Sequence, residues 1–319
     1  MKIGFIGLGN IGSKLSGSLL RNKVNLYVRD LDLSLVQTFV DQGAGTAKTN
    51  KELMEICDIV ITCLPSPAAS ASVMEAKDGL LAGMSNGKIW MEMSTTDQTE
   101  VLRLGELIIS KGGYAVDCPV SGGCHRADTA NIAIFAGCTR ETFEIILPIL
   151  KKMGRRILHT GKLGSASVLK VVTNYLATAN LLACSEALVT CKAADMDLST
   201  AYEAIKISSG NSFVHETESQ VILNGSRDIS FTMDLVAKDI GLFQNIADRH
   251  NVPLEISPLL IDIFADGIER FGPREWSSNI IKRLEEATGL KIIAEGFPAI
   301  MTDHEPEESG YEIIPISRI

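Results

Sequence analysis

The stretch Lys2-Ile3-Gly4-Phe5-Ile6-Gly7-Leu8-Gly9-Asn10-Ile11-Gly12 joins a short apolar run to three glycines in the spacing GxGxxG. The apolar run predicts a buried strand, and a helix is expected to begin within the glycine motif. Gly7 permits a tight turn, Gly9 lets the backbone approach a pyrophosphate, and Gly12 allows close packing of helix on sheet. The helix N-terminus then holds the anion. The stretch therefore predicts a dinucleotide site.

Short apolar runs alternate with longer periodic segments through the first half of the chain. The apolar runs cover residues 2–6, 25–28, 58–64, 88–93, 114–116, 132–136 and 157–159. The periodic segments between them cover residues 15–21, 33–41, 97–111 and 140–153. Buried strands separated by helices are typical of a mostly parallel sheet built from βαβ units. We therefore predict an α/β Rossmann-type domain over residues 1–163.

The pattern changes at about Gly161. Residues 165–194 contain neither Pro nor Gly, and a helix of that length suits a connection between two domains. The later periodic segments, which Gly and Pro separate, cover residues 199–208, 232–250, 259–270 and 275–288. We predict an all-α C-terminal domain over residues 164–290 that includes the long linking helix.

Residues 291–319 form a third segment, which is acidic and rich in turn formers. Its acidic residues and its turn formers Pro306 and Gly310 favour a tail exposed to solvent. The alternative is that the apolar residues 313–316 dock on a neighbouring subunit.

Composition and charge exclude several classes of protein. The chain has 30 Lys and Arg residues against 39 Asp and Glu residues, a net charge of −9, which repels phosphate backbones, so no nucleic acid partner is expected. No apolar run approaches the ~18 residues that span a bilayer, so no membrane partner is expected. Seven cysteines lack CxxC spacing, and the histidines lack metal-ligand spacing. We expect a cytoplasmic protein without a metal.

The second predicted strand ends in Tyr27-Val28-Arg29-Asp30. An acidic residue about 20 positions past the glycines accepts hydrogen bonds from the adenine ribose. Asp30 is better placed for this than Asp32, although a helix cap is an alternative role for Asp30. A carboxylate at this place repels a 2′-phosphate and favours NAD, whereas Arg29 could pair with that phosphate and leaves NADP possible.

Lys170 and Asn174 lie near the start of the predicted long helix. Because they are four positions apart, they project from one face of that helix. An isolated Lys on a helix is ordinarily solvated, but Val168, Leu169, Val171 and Val172 surround this one. The apolar surroundings favour a position in a cleft.

Six motifs together resemble the 3-hydroxyisobutyrate dehydrogenase family of β-hydroxyacid dehydrogenases. They are residues 5–12, Leu64-Pro65, Met93-Ser94-Thr95-Thr96, residues 117–123, residues 161–174 and residues 237–242. The resemblance covers residues 1 to about 290. It implies a Rossmann-type domain, a long linking helix, a helical C-terminal domain and an active site in the cleft between the two domains.

The resemblance also implies roles for single residues. The expected cofactor contacts are Gly7, Leu8, Gly9, Asn10, Ile11, Gly12, Arg29, Asp30, Leu64, Pro65, Thr95 and Lys238. Ser121, Gly122 and Gly123 would hold the substrate carboxylate through backbone N–H groups, because glycines lack a Cβ. Lys170 would be the catalytic acid and base, with Asn174 beside it to orient the substrate or the lysine.

The sequence departs from the family pattern after Gly123, where Cys124-His125-Arg126 replaces a small, glycine-containing stretch. His125 and Arg126 either add positive charge for a second anionic group of the substrate, or form an exposed loop or a subunit contact. Glu92 stands where the family commonly has Asp.

The predicted function is an NAD-dependent oxidoreductase that interconverts a small 3-hydroxy acid and its aldehyde or ketone, assembled as a homodimer or homotetramer. One alternative is a semialdehyde reductase that prefers NADPH. The other is a catalytically silent dinucleotide-binding interaction protein.

Overall fold

A computed structural model describes residues 1–316 of the chain, which divide into two compact units. The α/β unit contains Met1–Lys170 and the segment from Asp303 onward, and the helical unit contains Val171–Thr302. The chain therefore leaves the α/β unit within its long helix and returns to it near its C-terminus. The domain boundaries that the sequence predicts at residues 163 and 290 stay predictions.

The strands of the described chain all belong to the α/β unit. They are β1 (Lys2–Ile6), β2 (Asn25–Arg29), β3 (Gly45–Thr46), β4 (Ile59–Thr62), β5 (Ile89–Glu92), β6 (Tyr114–Asp117), β7 (Val120–Ser121), β8 (Ala133–Gly137), β9 (Arg156–Gly161) and β10 (Tyr311–Ile313). The helices of this unit are α1 (Asn10–Arg21), α2 (Leu33–Asp41), α3 (Asn50–Ile56), α4 (Pro67–Glu75), α5 (Leu80–Gly83), α6 (Gln98–Ser110), α7 (Gly123–Asp128) and α8 (Arg140–Leu150).

Helix α9 (Ser165–Ala193) begins in the α/β unit and continues into the helical unit. The further helices are α10 (Leu198–Lys206), α11 (Phe213–Asn224), α12 (Met233–Arg249), α13 (Ile256–Phe271) and α14 (Lys282–Thr288). A 3₁₀ helix occupies Ser277–Ile281, so the helix expected over residues 275–288 is split in two. None of the described helices combines the length and the apolar character that a membrane span requires.

The sheet has the strand order β10-β9-β8-β6-β5-β4-β1-β2-β3, and β7 pairs with β8 beside it. β1 pairs in parallel with β2 on one side and with β4 on the other. Only the pairings of β8 with β6 and with β7 are antiparallel among the described strands. The mostly parallel Rossmann-type sheet predicted from the sequence is confirmed.

Side chains of the central strands alternate between two apolar clusters. Ile59 and Ile61 of β4 belong to one cluster, and Val60 between them belongs to the other. Successive side chains of a strand point to opposite faces, so helices cover both faces of the sheet. The helical unit has its own apolar core, and a buried ion pair between Arg227 and Glu285 (2.8 Å) lies in the same unit.

Residues 303–313 of the predicted tail are attached to the sheet, although most of their side chains are exposed to solvent. Strand β10 pairs in parallel with β9, with Tyr311 opposite Arg156 and Ile313 opposite Leu158. A Cβ on Gly310 would lie 2.0 Å from the carbonyl oxygen of Gly154, so the backbone is in close contact just before the strand. The alternative, docking of residues 313–316 on another subunit, stays a prediction, and residues 317–319 of the predicted tail lie outside the described residues.

Candidate active site

The glycine loop between β1 and α1 has the shape that the sequence predicts. The N–H of Gly7, at φ +97°, donates to the carbonyl of Arg29 (3.0 Å). A Cβ on Gly12 would lie 1.9 Å from the carbonyl oxygen of Gly7, whereas a Cβ on Gly9 would have no neighbour within 4 Å. Gly9 precedes α1 without a capping side chain. Space beside Gly9 and the N-terminal N–H groups of α1 fit a pyrophosphate.

Asp30 lies at the end of β2 and contacts this loop. Its carboxylate accepts hydrogen bonds from the N–H groups of Leu8 (2.6 Å) and Asp32 (2.9 Å). Asp32 instead caps α2 by accepting from the hydroxyl (2.6 Å) and the N–H (2.9 Å) of Ser34, and these hydrogen bonds lower the pKa of Asp32. The helix cap considered for Asp30 is therefore formed by Asp32.

The guanidinium of Arg29 is directed to a different part of the α/β unit. Its Nε donates to Oδ1 of Asn50 (2.9 Å), and a terminal nitrogen donates to the carbonyl of Ala47 (2.6 Å). Both acceptors lie at or just before the start of α3. Pairing with a 2′-phosphate would compete with these two hydrogen bonds.

A buried network joins the ends of β4 and β5. Glu92 accepts from the N–H of Ser94 (2.9 Å) and from its hydroxyl, and that hydroxyl accepts from the N–H of Leu64 (2.7 Å). Burial raises the pKa of the Glu92 carboxyl, and the hydrogen bonds from Ser94 oppose this rise. Sequence reasoning noted Glu92 only as a departure from the family pattern. The network fixes the backbone of Leu64, one of the predicted cofactor contacts.

Two consecutive glycines with positive φ follow β7, Gly122 at +130° and Gly123 at +86°. A Cβ on Gly122 would lie 3.3 Å from Cδ of Arg126, and one on Gly123 would lie 3.0 Å from the ring of His125. Burial lowers the pKa of His125, and the neighbouring charge of Arg126 adds to this effect. Residues 123–128 form α7 and not the exposed loop considered for His125 and Arg126.

Asp117 connects the end of β6 with the start of α9. Its buried carboxylate accepts from the N–H of Gly164 (2.8 Å) and from the N–H (2.7 Å) and hydroxyl (2.9 Å) of Ser167. Burial raises the pKa of Asp117, and these hydrogen bonds oppose the rise. Lys170, 8% exposed, follows one turn later on α9. Asp117 thereby anchors the first turn of α9 to the strand that leads to Ser121.

Asn174 and Lys238 meet at one carboxylate in the helical unit. The amide of Asn174 donates to Oδ2 of Asp239 (2.5 Å), and Nζ of Lys238 lies 2.9 Å from Oδ1 of the same residue. Sequence reasoning quoted Asp239 within a motif but gave it no role. The sequence feature that could have identified Asp239 is its position between Val236 and Ile240, which are buried on the apolar side of α12.

The predicted site residues of the α/β unit follow the carboxyl ends of neighbouring strands. The glycine loop follows β1, Asp30 lies just past β2, Leu64 and Pro65 follow β4, and Thr95 follows β5. In open parallel sheets ligands bind at this edge. Leu64 and Thr95 are half-buried, whereas Pro65 is exposed. Ser121, on β7 shortly after β6, and Lys170 belong to the same unit, whereas Asn174 and Lys238 belong to the helical unit.

The other side chains that could carry chemistry include metal-binding groups and cysteines. Within residues 1–316, no group of three or more His, Cys, Asp or Glu side chains is placed to hold a metal ion. Among the described residues, no cysteine forms a disulfide. Burial raises the pKa of Cys118, which lies between Asp117 and the two glycines, so its thiol stays protonated and packs as an apolar side chain.

Comparison with known proteins identifies the family of the chain. The family described as the NAD binding domain of 6-phosphogluconate dehydrogenase matches residues 2–161. The family described as NAD-binding of NADP-dependent 3-hydroxyisobutyrate dehydrogenase matches residues 164–284. A 2-(hydroxymethyl)glutarate dehydrogenase from Eubacterium barkeri is 33% identical over 293 residues, which are 92% of this chain and 97% of the relative. The chain belongs to the 3-hydroxyisobutyrate dehydrogenase family.

Further relatives support the assignment. A 3-sulfolactaldehyde reductase from Escherichia coli (strain K12) is 28% identical, and the match covers 90% of this chain and 97% of the relative. The Mycobacterium tuberculosis 3-hydroxyisobutyrate dehydrogenase structure with L-serine has a TM-score of 0.79 at 24% identity, covers 89% of this chain and 98% of that one, and shows the shared fold. This member of the family is an oxidoreductase that uses NAD(P). Membership favours an enzyme over the catalytically silent interaction protein considered above.

Proposed function

We propose that the protein interconverts a small 3-hydroxy acid and its aldehyde or ketone with NAD, and that Lys170 is the general acid and base. The observation that carries the proposal is the anchoring of α9 by Asp117. One buried carboxylate holds the helix of Lys170 against the strand that leads to Ser121. The proposed proton-transfer residue and the proposed carboxylate site would thus lie on directly connected elements of the α/β unit.

Residues of the α/β unit would hold the dinucleotide. The open space at Gly9 and the N-terminus of α1 suit the pyrophosphate. Asp30 suits the ribose hydroxyls, and its negative charge opposes a 2′-phosphate. The bound nicotinamide supplies the hydride chemistry. Leu64, held through Ser94, and Thr95 would contact the cofactor from the ends of β4 and β5.

The substrate carboxylate would bind at Ser121, Gly122 and Gly123. Both glycines have positive φ and no Cβ, so an anion could approach the backbone N–H groups of this segment without a cationic side chain. The names of the two relatives denote an anionic hydroxymethyl compound and an anionic aldehyde. Both names fit a substrate that carries an acid group close to the reacting carbon.

Lys170 would move the proton at the reacting oxygen. During oxidation its amine accepts the proton of the substrate hydroxyl, and during reduction its ammonium group donates a proton to the forming alkoxide. Asn174 would orient the substrate or Lys170, and its own amide is held by Asp239 (2.5 Å). Lys238, beside the same carboxylate, would contact the cofactor.

The test is a substrate panel followed by substitution of Lys170. We expect turnover with at least one of 3-hydroxyisobutyrate, L-serine, glycerate, 3-hydroxypropionate, 4-hydroxybutyrate or a hydroxysulfonate, measured as formation of reduced nicotinamide. Lys170→Ala should lower kcat by roughly 10² to 10⁴, because that range is usual for loss of a general acid or base. Its NAD affinity should stay close to that of the wild type.

Two further variants make this test specific. Asn174→Ala should reduce kcat less than Lys170→Ala, since the proton acceptor remains. Lys192→Ala removes an exposed lysine from the same helix and should leave kcat unchanged. Near-wild-type kcat in Lys170→Ala would contradict the proposed mechanism.

Three finer expectations accompany the proposal. The homodimer or homotetramer is testable by light scattering of the purified protein. The cytoplasmic location is testable by fractionation. The NADPH-preferring semialdehyde reductase would be favoured if kcat/KM with NADP exceeded that with NAD.

A further inference from the structure

The acidic segment, residues 303–313, is attached to the residues that follow the two glycines of the proposed substrate site. The carboxylate of Asp303 accepts hydrogen bonds from the hydroxyl of Thr129 and the amide of Asn131 (2.7 Å). The same amide donates to the carbonyl of Glu305 (2.9 Å). Thr129 is the C-cap of α7. The acidic segment therefore holds the C-terminal end of this helix.

The side chain of Glu305 reaches the helix itself. Its carboxylate lies 3.2 Å from a terminal nitrogen of Arg126 and 3.4 Å from one of Arg156. Arg126 packs beside Gly122, since Cδ of Arg126 lies 3.3 Å from the place that a Cβ of Gly122 would occupy. The positive charge next to the proposed carboxylate site is thus already paired with a carboxylate of the same chain.

The other ion pairs of the acidic segment are made with different elements. Glu312 pairs with Arg140 of α8, Glu308 pairs with Arg155, which directly precedes β9, and Glu307 pairs with Arg21 of α1. Arg21 also donates to the carbonyl of Asp128 at the end of α7 (2.6 Å), whereas the pairs of Glu308 and Glu312 involve no residue of α7. All of the acidic segment lies beyond residue 284, where the second matched family region ends. Glu305 is therefore outside the sequence that both family matches describe.

We infer that Glu305 is a specificity-determining residue that favours substrates with a single negative charge. The inference rests on the proposed carboxylate site at Ser121, Gly122 and Gly123. A second anionic group near Arg126 would meet a guanidinium that Glu305 already neutralises, together with the negative charge of Glu305 itself. Like charges at short distance repel, and the arginine would have to leave its partner before it could bind the new anion.

The experiment compares two acids that differ by a second carboxylate, 3-hydroxyisobutyrate and 2-(hydroxymethyl)glutarate. The measured quantity is the ratio of kcat/KM for the dianion to kcat/KM for the monoanion. Glu305→Gln keeps the size of the side chain but removes its negative charge beside Arg126, so the ratio should rise by about tenfold. In Glu305→Gln combined with Arg126→Gln, the ratio should fall back to about the wild-type value.

Glu312→Gln is the matched control, because it removes a carboxylate of the same segment that pairs with Arg140 instead of Arg126. Its ratio should equal that of the wild type. The midpoints of thermal unfolding of the Glu305 and Glu312 variants should agree closely. This agreement would separate a change in specificity from a loss of structure. An unchanged ratio in Glu305→Gln would overturn the inference, as would a wild-type protein whose preference for the dianion is abolished by Arg126→Gln.

A binding measurement distinguishes failure of this inference from failure of the proposed reaction. Both acids are titrated by calorimetry into protein saturated with NADH, in which oxidation of the acid cannot proceed. A change in relative affinity in Glu305→Gln without turnover of any hydroxy acid would support the inference and contradict the reaction. Turnover in the wild type, with no change in relative affinity or in kcat/KM, would support the reaction and contradict the inference.

Discussion

The glycine loop and the acidic segment are both held close to the sheet, but by different means. In the loop, backbone clearance decides the conformation, because a Cβ on Gly12 would lie 1.9 Å from the carbonyl oxygen of Gly7. The acidic segment is held by several partly exposed ion pairs together with one short strand. The loop therefore depends on single positions, whereas the segment distributes its attachment over many.

This difference affects what a substitution does. Removing one exposed ion pair typically costs less than 1 kcal/mol, so most positions of the acidic segment should tolerate change. A Cβ that conflicts with a backbone carbonyl should be tolerated less well, because the backbone itself must move to relieve the conflict. Gly310 is an exception among the positions of the acidic segment. A Cβ on Gly310 would lie about as close to a backbone carbonyl as a Cβ on Gly12 in the loop.

Among the variants that compare the loop with the acidic segment, the largest effect is expected at Gly12. Gly12→Ala places a methyl group on the carbonyl of Gly7, so the loop must shift and the pyrophosphate site is lost. We expect NAD affinity to fall by about 100-fold or more, which corresponds to about 2.7 kcal/mol, measured by calorimetric titration. Gly17→Ala on the same helix is the control, because its Cβ would meet only a flexible arginine nitrogen at 3.6 Å. Equal loss of affinity in both variants would show that the conflict at Gly12 is not the cause.

Gly310→Val should have the second largest effect. The added side chain conflicts with the carbonyl of Gly154, so β10 should separate from β9. We expect a loss of about 2 kcal/mol in the free energy of unfolding, measured by urea denaturation, with NAD affinity unchanged. Ser309→Val adds similar bulk at a neighbouring exposed position and should be nearly neutral. A neutral Gly310→Val would mean that the acidic segment is attached by its ion pairs alone.

Asp30→Ala should alter the choice of cofactor. The carboxylate that repels a 2′-phosphate is removed, so the preference for NAD over NADP should narrow by about tenfold, or about 1.4 kcal/mol. The measurement is kcat/KM with each cofactor. Asp32→Ala removes the cap of α2 and should lower stability without changing the cofactor ratio. A strong preference of the wild type for NADP would contradict the role of Asp30 and direct attention to Arg29.

The smallest effect is a change in the pH dependence of stability at Glu92. Burial raises the pKa of Glu92 above its ordinary value of 4.5 in the folded protein. The contribution of the protonated side chain to the free energy of unfolding is therefore fully present below pH 4.5. The contribution declines as the pH rises toward the folded-state pKa, because the unfolded chain then loses the proton more readily. Glu92→Gln lacks this decline, and its free energy of unfolding should improve relative to the wild type between pH 5 and pH 8. A difference that is constant over this range would show that Glu92 ionises normally.

Most of the α/β unit was predictable because its strands and helices are encoded by local patterns of apolar residues. The run at residues 2–6 and the periodic segment at residues 33–41 coincide with β1 and α2. The glycine spacing predicted the loop for the same reason. The helices α3 and α5 were not recognised, because segments of seven and four residues contain too few turns to show a helical period. The helix α4 was missed because its sequence, PAASASVME, is mostly Ala and Ser and shows no apolar period.

Other features that were missed depend on contacts between distant residues. Strand β10 exists because Tyr311 and Ile313 meet β9 across a large separation in sequence, and a three-residue run gives no pattern of its own. The roles of Asp239 and Asp117 likewise follow from partners on other elements, Asn174 and Ser167. Charged residues at buried positions of a helix or strand were the available signal for both.

The position of β10 at the edge of the sheet has a consequence for synthesis of the chain. Its partner β9 emerges from the ribosome before the entire helical unit, and β10 emerges after it. During that interval β9 is an open edge whose backbone groups can pair with a strand of another nascent chain. Translation of residues 303–313 closes this edge, so chains released early should be more prone to aggregate than full-length chains.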